Sequence, residues 1–286
     1  MGWIAYSALM FFSSVALYLI VRKSSLIKTP SSLTNLAMFA VPLVLYVALG
    51  ILNGTPIITT WWHLLILIGI AVVFSYGGNK ASLYAIERAP NPGYSLVLSK
   101  SYVLFTTIVA ITLLGADLTF QKGVAILLIV VFSALVMITK KDTSKAKPRK
   151  WILLSFAAFF SWGMLSLVGK YLFNQGLEPI TFLIYLNTIV SICIIAIDKV
   201  NITKIREVSS QAKWLLLGTG VFSALFNLGQ FEAIKLAPNV GYVNAINAGS
   251  IAAVTIFAVL LFKDELTPKK AIGIFGVTLG LILLLM

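Results

Sequence analysis

Two stretches decide the fold: VFSYGGNKASLYAIERAPNPGY, residues 73–94, and VFSALFNLGQFEAIKLAPNVGY, residues 221–242. They superimpose at an offset of 148 residues. Extended to 73–119 against 221–267 the match holds 17 identities in 47 positions, and 3–22 against 151–170 adds 8 in 20 at the same offset. Shared composition would give roughly one identity in twelve. A single offset over both blocks makes each copy a whole half of the chain.

Each half is built for lipid. Of 286 residues 59% are apolar and 11% charged, and mean hydropathy is +0.99, beyond the roughly 45 to 50% apolar share of a soluble domain. Taking about 20 mostly apolar residues per crossing predicts spans at 3–21, 33–52, 64–86, 93–114, 122–139, 151–173, 179–198, 214–235, 240–262 and 271–286. A membrane barrel needs segments of about 10 residues in strict alternation, which runs such as VAILLIVVFSALVMI do not show. The first run has no basic segment before it and no small-residue cleavage pattern after it, so it is read as a retained span. The expected fold is an all-α integral membrane protein of ten transmembrane helices arranged as two inverted five-helix repeats. Residues 1–139 form the first repeat, the basic stretch KKDTSKAKPRK at 140–150 a linker, and 151–286 the second repeat.

Inversion follows from the odd number of spans per half, because the second copy then enters the membrane from the opposite side. Charge placement tests this independently. Connections 1, 3, 5, 7 and 9 hold 3, 1, 6, 4 and 3 basic residues, whereas connection 4 holds only Lys122. Connection 2 is uncharged while its repeat mate, connection 7, is basic. The positive-inside rule puts the odd connections in the cytoplasm and both termini outside, in what we expect to be a prokaryotic plasma membrane. The formal charge of +13 is therefore a topology signal, and no nucleic-acid partner is expected. The partners expected are the lipid bilayer and a small-molecule substrate.

One cysteine, Cys193, and one histidine, His63, leave no internal disulfide and no multi-histidine metal site; no metal and no cofactor is expected. No HExxH, Gly-x-Ser-x-Gly or glycine-rich phosphate loop occurs. A membrane-embedded enzyme is thus a remote reading. At helix starts, Thr119 and Thr267 are placed to cap, with Pro268 at a tolerated first-turn position. Gly276 and Gly280 form a small-residue contact that fits packing within the chain or a homodimer equally.

Ionisable groups inside spans cost about 2.5 to 3.5 kcal/mol on insertion scales, so those that persist usually face protein or water. Lys80 lies four residues from both Tyr76 and Tyr84 on one helical face, and Lys100 lies between Ser99 and Ser101. Snorkelling to an interface competes with a site role for both. The repeat places Leu228 opposite Lys80 and Ala248 opposite Lys100. A charge present in one copy only is not needed by the fold of each half in the same way; it better serves an asymmetric substrate. The second half supplies Glu232 against Tyr84, Asn244 against Leu96, Asn247 against Ser99 and Asn227 against Asn79. Interhelical hydrogen bonding competes for Asn244 and Asn247, and a pair with Lys235 competes for Glu232. Trp61, Trp62 and His63 read as an interfacial belt. Trp162, mid-span on one face with Ser166 and Lys170, is a cavity candidate. The candidate cavity set is Lys80, Tyr84, Lys100, Trp162, Asn227, Glu232, Asn244 and Asn247.

The paired AIxxAPNxGY segments at 85–94 and 233–242, the acid-Leu-Thr turns at 117–119 and 265–267, and Gly273, Gly276 and Gly280 in the last helix resemble the EamA branch of the drug/metabolite transporter superfamily. The resemblance covers essentially the whole chain. It departs in having Ala116-Asp117 where the family commonly has Gly-Glu, and almost no basic tails. It implies a central cavity between the halves, bordered by the third, fourth, eighth and ninth helices and parts of the first and sixth. Family members move amino acids, other metabolites and drugs, with cousins moving sugar phosphates and nucleotide sugars. The expected function is a secondary transporter of a small polar metabolite, an amino acid or an organic or phosphorylated anion, working by alternating access. The alternative is flipping of an anionic lipid carrier.

Overall fold

The computed structural model describes residues 2–89, 92–138 and 150–286. Apart from Lys150, the basic stretch at 140–150 lies outside the described residues. Within them there is no strand, and ten helices are long and apolar enough to cross a membrane: α1 Trp3–Leu26, α2 Ser31–Leu52, α3 Trp61–Arg88, α4 Gly93–Leu114, α5 Phe120–Met137, α6 Lys150–Asn174, α7 Pro179–Ala196, α8 Ser210–Leu236, α9 Val240–Phe262 and α10 Pro268–Leu285. The chain is a multi-pass membrane protein.

The repeat is visible in the backbone. Moving α5 along by the offset of 148 reproduces the bounds of α10, and α4 moved likewise overlies α9 to within a residue. Helix starts are chemically alike too. The hydroxyls of Thr119 and Thr267 accept from the N–H of Lys122 and Lys270, each at 3.4 Å, which satisfies a helix-start donor that has no partner within the helix. Left-handed residues also recur in register. Gly115 (φ 65°) ends α4 where Lys263 (φ 57°) ends α9, and Lys28 (φ 59°) stands where the second copy has Gly176 (φ 89°).

By compactness the chain divides otherwise than by sequence repeat, into one unit of 1–72 with 172–235 and another of 73–171 with 236–286. The first contains α1, α2, the start of α3, α7 and nearly all of α8. There α2 lies along α7. Tyr46, 1% exposed, donates its Oη hydrogen to the Ala224 carbonyl at 2.7 Å, and Ser223 Oγ donates to the Met38 carbonyl at 2.8 Å. Phe173, Phe182 and Phe231 form an aromatic cluster with centroids 4.7 to 6.2 Å apart, worth about 0.5 to 1.5 kcal/mol per pair beyond area burial.

The second unit contains the rest of α3, then α4, α5, most of α6, α9 and α10. Its most extensive packing is α10 on α5. A methyl on Gly273 would lie 2.9 Å from the Phe132 carbonyl oxygen, one on Gly276 would overlap the Phe132 ring, and one on Gly280 would lie 2.8 Å from Ile129 Cγ1. The glycine stripe is thus used inside the chain, which answers half of the question the sequence left open.

Candidate functional site

Both embedded lysines of the second unit sit beside irregular backbone. In α3, residues Ile70–Gly77 wind as a π-helix before α-helix resumes at Gly78. In α4 the helix breaks at Ser101 between Pro92–Lys100 and Tyr102–Leu114. Ser101 Oγ donates to the Val97 carbonyl at 2.8 Å, a back-bond of the kind that bends helices. The repeat mates α8 and α9 carry neither distortion and run as unbroken α-helix. Wide-turn segments of this type are frequent at functional sites. The irregularity therefore follows the charge asymmetry: both are confined to the first copy.

Lys100 Nζ lies 4.9 Å from the centre of the Trp162 ring, and Tyr102 meets the same indole edge-on at 6.2 Å. Two residues chosen separately from sequence are thus one contact. Partly desolvated cation–π contacts are worth about 0.5 to 2 kcal/mol, which helps hold an ammonium within an apolar span. Beside it is a small recess lined by Lys100, Ser101, Ser133 and Ala248 among others. On α9, one residue before Ala248, Asn247 is 6% exposed, and its side-chain amide makes no hydrogen bond with the described residues.

The other candidates fall elsewhere. Lys80 Nζ donates to Tyr76 Oη at 2.8 Å, the helical neighbour expected. Tyr84 is 43% exposed and carries the Arg88 guanidinium over its ring at 4.8 Å. Asn244 is 0% exposed in a hydrogen-bonded set: its Nδ2 donates to Thr106 Oγ1 at 3.1 Å, and its Oδ1 accepts from Ser166 Oγ at 3.4 Å. In the first unit, Asn227 Nδ2 donates to the Ser223 carbonyl at 2.9 Å. Glu232 is half-buried on α8 with no salt bridge or side-chain hydrogen bond among the described residues, and Lys235 turns instead to Glu178 at 2.7 Å.

Sequence reasoning passed over Thr106 and placed Ser166 only on the face of Trp162, though both bond Asn244, because lone hydroxyls in apolar spans usually bond their own helix. It also passed over a polar cavity of about 420 Å³ in the first unit, lined by Thr59, Thr60, His63, Gln175, Glu178 and Thr181 with Pro56, Ile58, Gly176 and Leu177. Its residues come from two connections and the first turns of the helices that follow them, with no shared motif. Among the described residues no group of three or more His, Cys, Asp or Glu is placed to hold a metal ion.

Residues 149–286 match the model of the EamA-like transporter family. The chain is similar to an uncharacterized transporter of Archaeoglobus fulgidus, 22% identical over 227 residues, covering 78% of this chain and 76% of the relative. A solved crystal structure shares the fold with a TM-score of 0.78 at 13% identity, covering 98% of this chain and 94% of that one.

Proposed function

We propose that this membrane transporter of the EamA-like family carries a small polar metabolite bearing a carboxylate or phosphate, by alternating access of its two inverted repeats. The observation that carries the substrate class is the Lys100 ammonium on the face of Trp162, in the copy of the repeat whose mate has Ala248. An ammonium kept in a span at a cost of a few kcal/mol, where the repeat mate is Ala248, brings positive charge to which an anionic group would be attracted. The π-helical turn in α3 and the break in α4 support the same reading. They loosen the backbone next to Lys80 and Lys100, where a carrier has to alter contacts as it turns. The Asn247 amide offers a neutral hydrogen-bonding group in the same unit.

The test is uptake of amino acids, organic acids and phosphorylated metabolites by proteoliposomes. Lys100→Ala should lower uptake of an anionic substrate by at least tenfold with the melting temperature nearly unchanged. Lys100→Arg, which keeps charge and ring contact, should retain part of it. Equal uptake by wild type and Lys100→Ala would remove the anion from the reading.

A further inference from the structure

Glu232 is the acid that the contacts of the first unit leave unexplained. It is half-buried in α8, four residues before that helix ends at Leu236, with no salt bridge or side-chain hydrogen bond among the described residues. A carboxylate at this place meets two costs. A lone charge within a span is expensive, and near a helix C-terminus an anion stands against the negative end of the dipole. Lys235, less than one turn on, is placed to neutralise it. Its ammonium reaches instead to Glu178, at the N-cap of α7, at 2.7 Å. Both partners of that pair lie close enough to act on Glu232 electrostatically. Two carboxylates thus share one ammonium, and the cluster is neutral only when it also holds a proton.

The cluster has no counterpart in the other copy of the repeat, where Pro30, Tyr84 and Glu87 stand for Glu178, Glu232 and Lys235. Water reaches it, because the Glu178 side chain is 45% exposed and lines the polar cavity. Two further titratable groups come from neighbouring elements. His63 lines the same cavity with its ring engaged by Gln175 and Thr59, at 3.2 and 3.1 Å, and Tyr6 belongs to α1, whose backbone presses on α8 at Gly229. We propose that Glu178, Lys235 and Glu232 form the coupling-proton site of the carrier, with the exchangeable proton on Glu232. For its role the proposal rests on the carrier reading, and it names the coupling ion. Protonated Glu232 leaves Lys235 to Glu178, the arrangement present in the structure. Ionised Glu232 competes for the same ammonium, and the tie between the start of α7 and the end of α8 weakens. A proton taken up or released thereby becomes a change in how two helices of this unit hold together.

The first readout needs no substrate. Infrared difference spectra of the full chain in lipid nanodiscs, taken as pH is stepped, should show the C=O stretch of a protonated carboxyl that disappears on alkalinisation. Glu232→Gln, which keeps the shape and breaks no contact, should remove that band. Glu178→Gln frees Lys235 for Glu232 and should lower the midpoint of the band's titration by about one pH unit, whereas Lys235→Met should raise it, since an opposite charge favours the ionised form. A band that persists in Glu232→Gln, or a midpoint unmoved in Glu178→Gln, would overturn the site. The second readout is proteoliposome uptake of the organic acids and phosphorylated metabolites of the panel above, with and without an imposed pH gradient. The gradient should change wild-type uptake severalfold. Glu232→Gln should lose that effect yet retain measurable exchange of labelled for unlabelled anion at equal pH. Wild-type uptake indifferent to the gradient, a gradient effect kept in Glu232→Gln, or exchange lost along with it would each overturn the coupling role. Absence of any wild-type uptake, with the carboxyl band in place, removes the carrier reading and keeps the proton site.

Discussion

Asn244 and Lys263 show how far a single residue is explained by its repeat mate. Asn244 stands where the first copy has Leu96, and the polar groups around it have other bonds: Thr106 Oγ1 also donates to the Val103 carbonyl at 3.0 Å, and Ser166 Oγ to the Trp162 carbonyl at 3.1 Å. Asn244→Leu therefore strands no hydroxyl and should cost about 0.6 kcal/mol, the average for such bonds in membranes. Urea or thermal unfolding in detergent measures this, and a loss above about 2 kcal/mol would show that the network anchors α9 far more strongly than its geometry implies. Lys263 holds φ at 57° where the mate is Gly115. The left-handed region strains a side chain by roughly 1 to 2 kcal/mol, partly offset by glycine's greater unfolded freedom. Lys263→Gly should thus raise stability by a few tenths to about 1 kcal/mol; a decrease would mean that the Lys263 side chain makes a compensating contact.

Elements were legible to the extent that their cause was local. Span positions, threonine caps and the proline at the start of α10 follow from hydropathy and terminal donors, and the helices begin and end within a few residues of where those signals place them. The π-helical turn at Ile70–Gly77 and the break at Ser101 were not legible, because hydropathy marks a span without marking its irregular turns. Gly78, just past the wide turn, presses so closely on Ser161 of α6 that a methyl there would overlap that side chain. The stripe on α10 was visible in sequence, but not its partner, since small residues announce a close approach without naming who approaches. Phe132 of α5 fills the space over Gly276. Gly276→Ala should therefore destabilise by about 1 to 3 kcal/mol. Combined with Phe132→Ala it should cost less than the two separate losses added, the sign of residues in direct contact. Strict additivity in a double-mutant cycle of unfolding free energies would place the stripe against something else.

At the scale of the whole molecule, sequence reading and structure meet in the repeat. The offset found from identities also aligns helix bounds and left-handed residues, features that identity counting never used. The candidate site was less legible: Lys100 and Trp162 met as one contact, but Asn244 is engaged elsewhere and the polar cavity at His63 comes from connections and helix starts without a motif. The reason is physical, since a site depends on which spans adjoin, and hydropathy is blind to that. Membrane sidedness, by contrast, is a property of the whole chain that charge placement does address. Asn53 and Asn201 are repeat equivalents, both exposed, in connections 2 and 7. If five spans per copy invert the second repeat, these matched positions lie on opposite faces, and the positive-inside rule predicts Asn201 on the cytoplasmic one. With the single Cys193 replaced by Ala, Asn53→Cys should react with an impermeant maleimide on intact cells, and Asn201→Cys only after permeabilisation. The reverse pattern would keep the inversion and overturn the orientation. Labelling of both from one side would mean that the repeats run parallel, and alternating access by inverted halves would lose its basis.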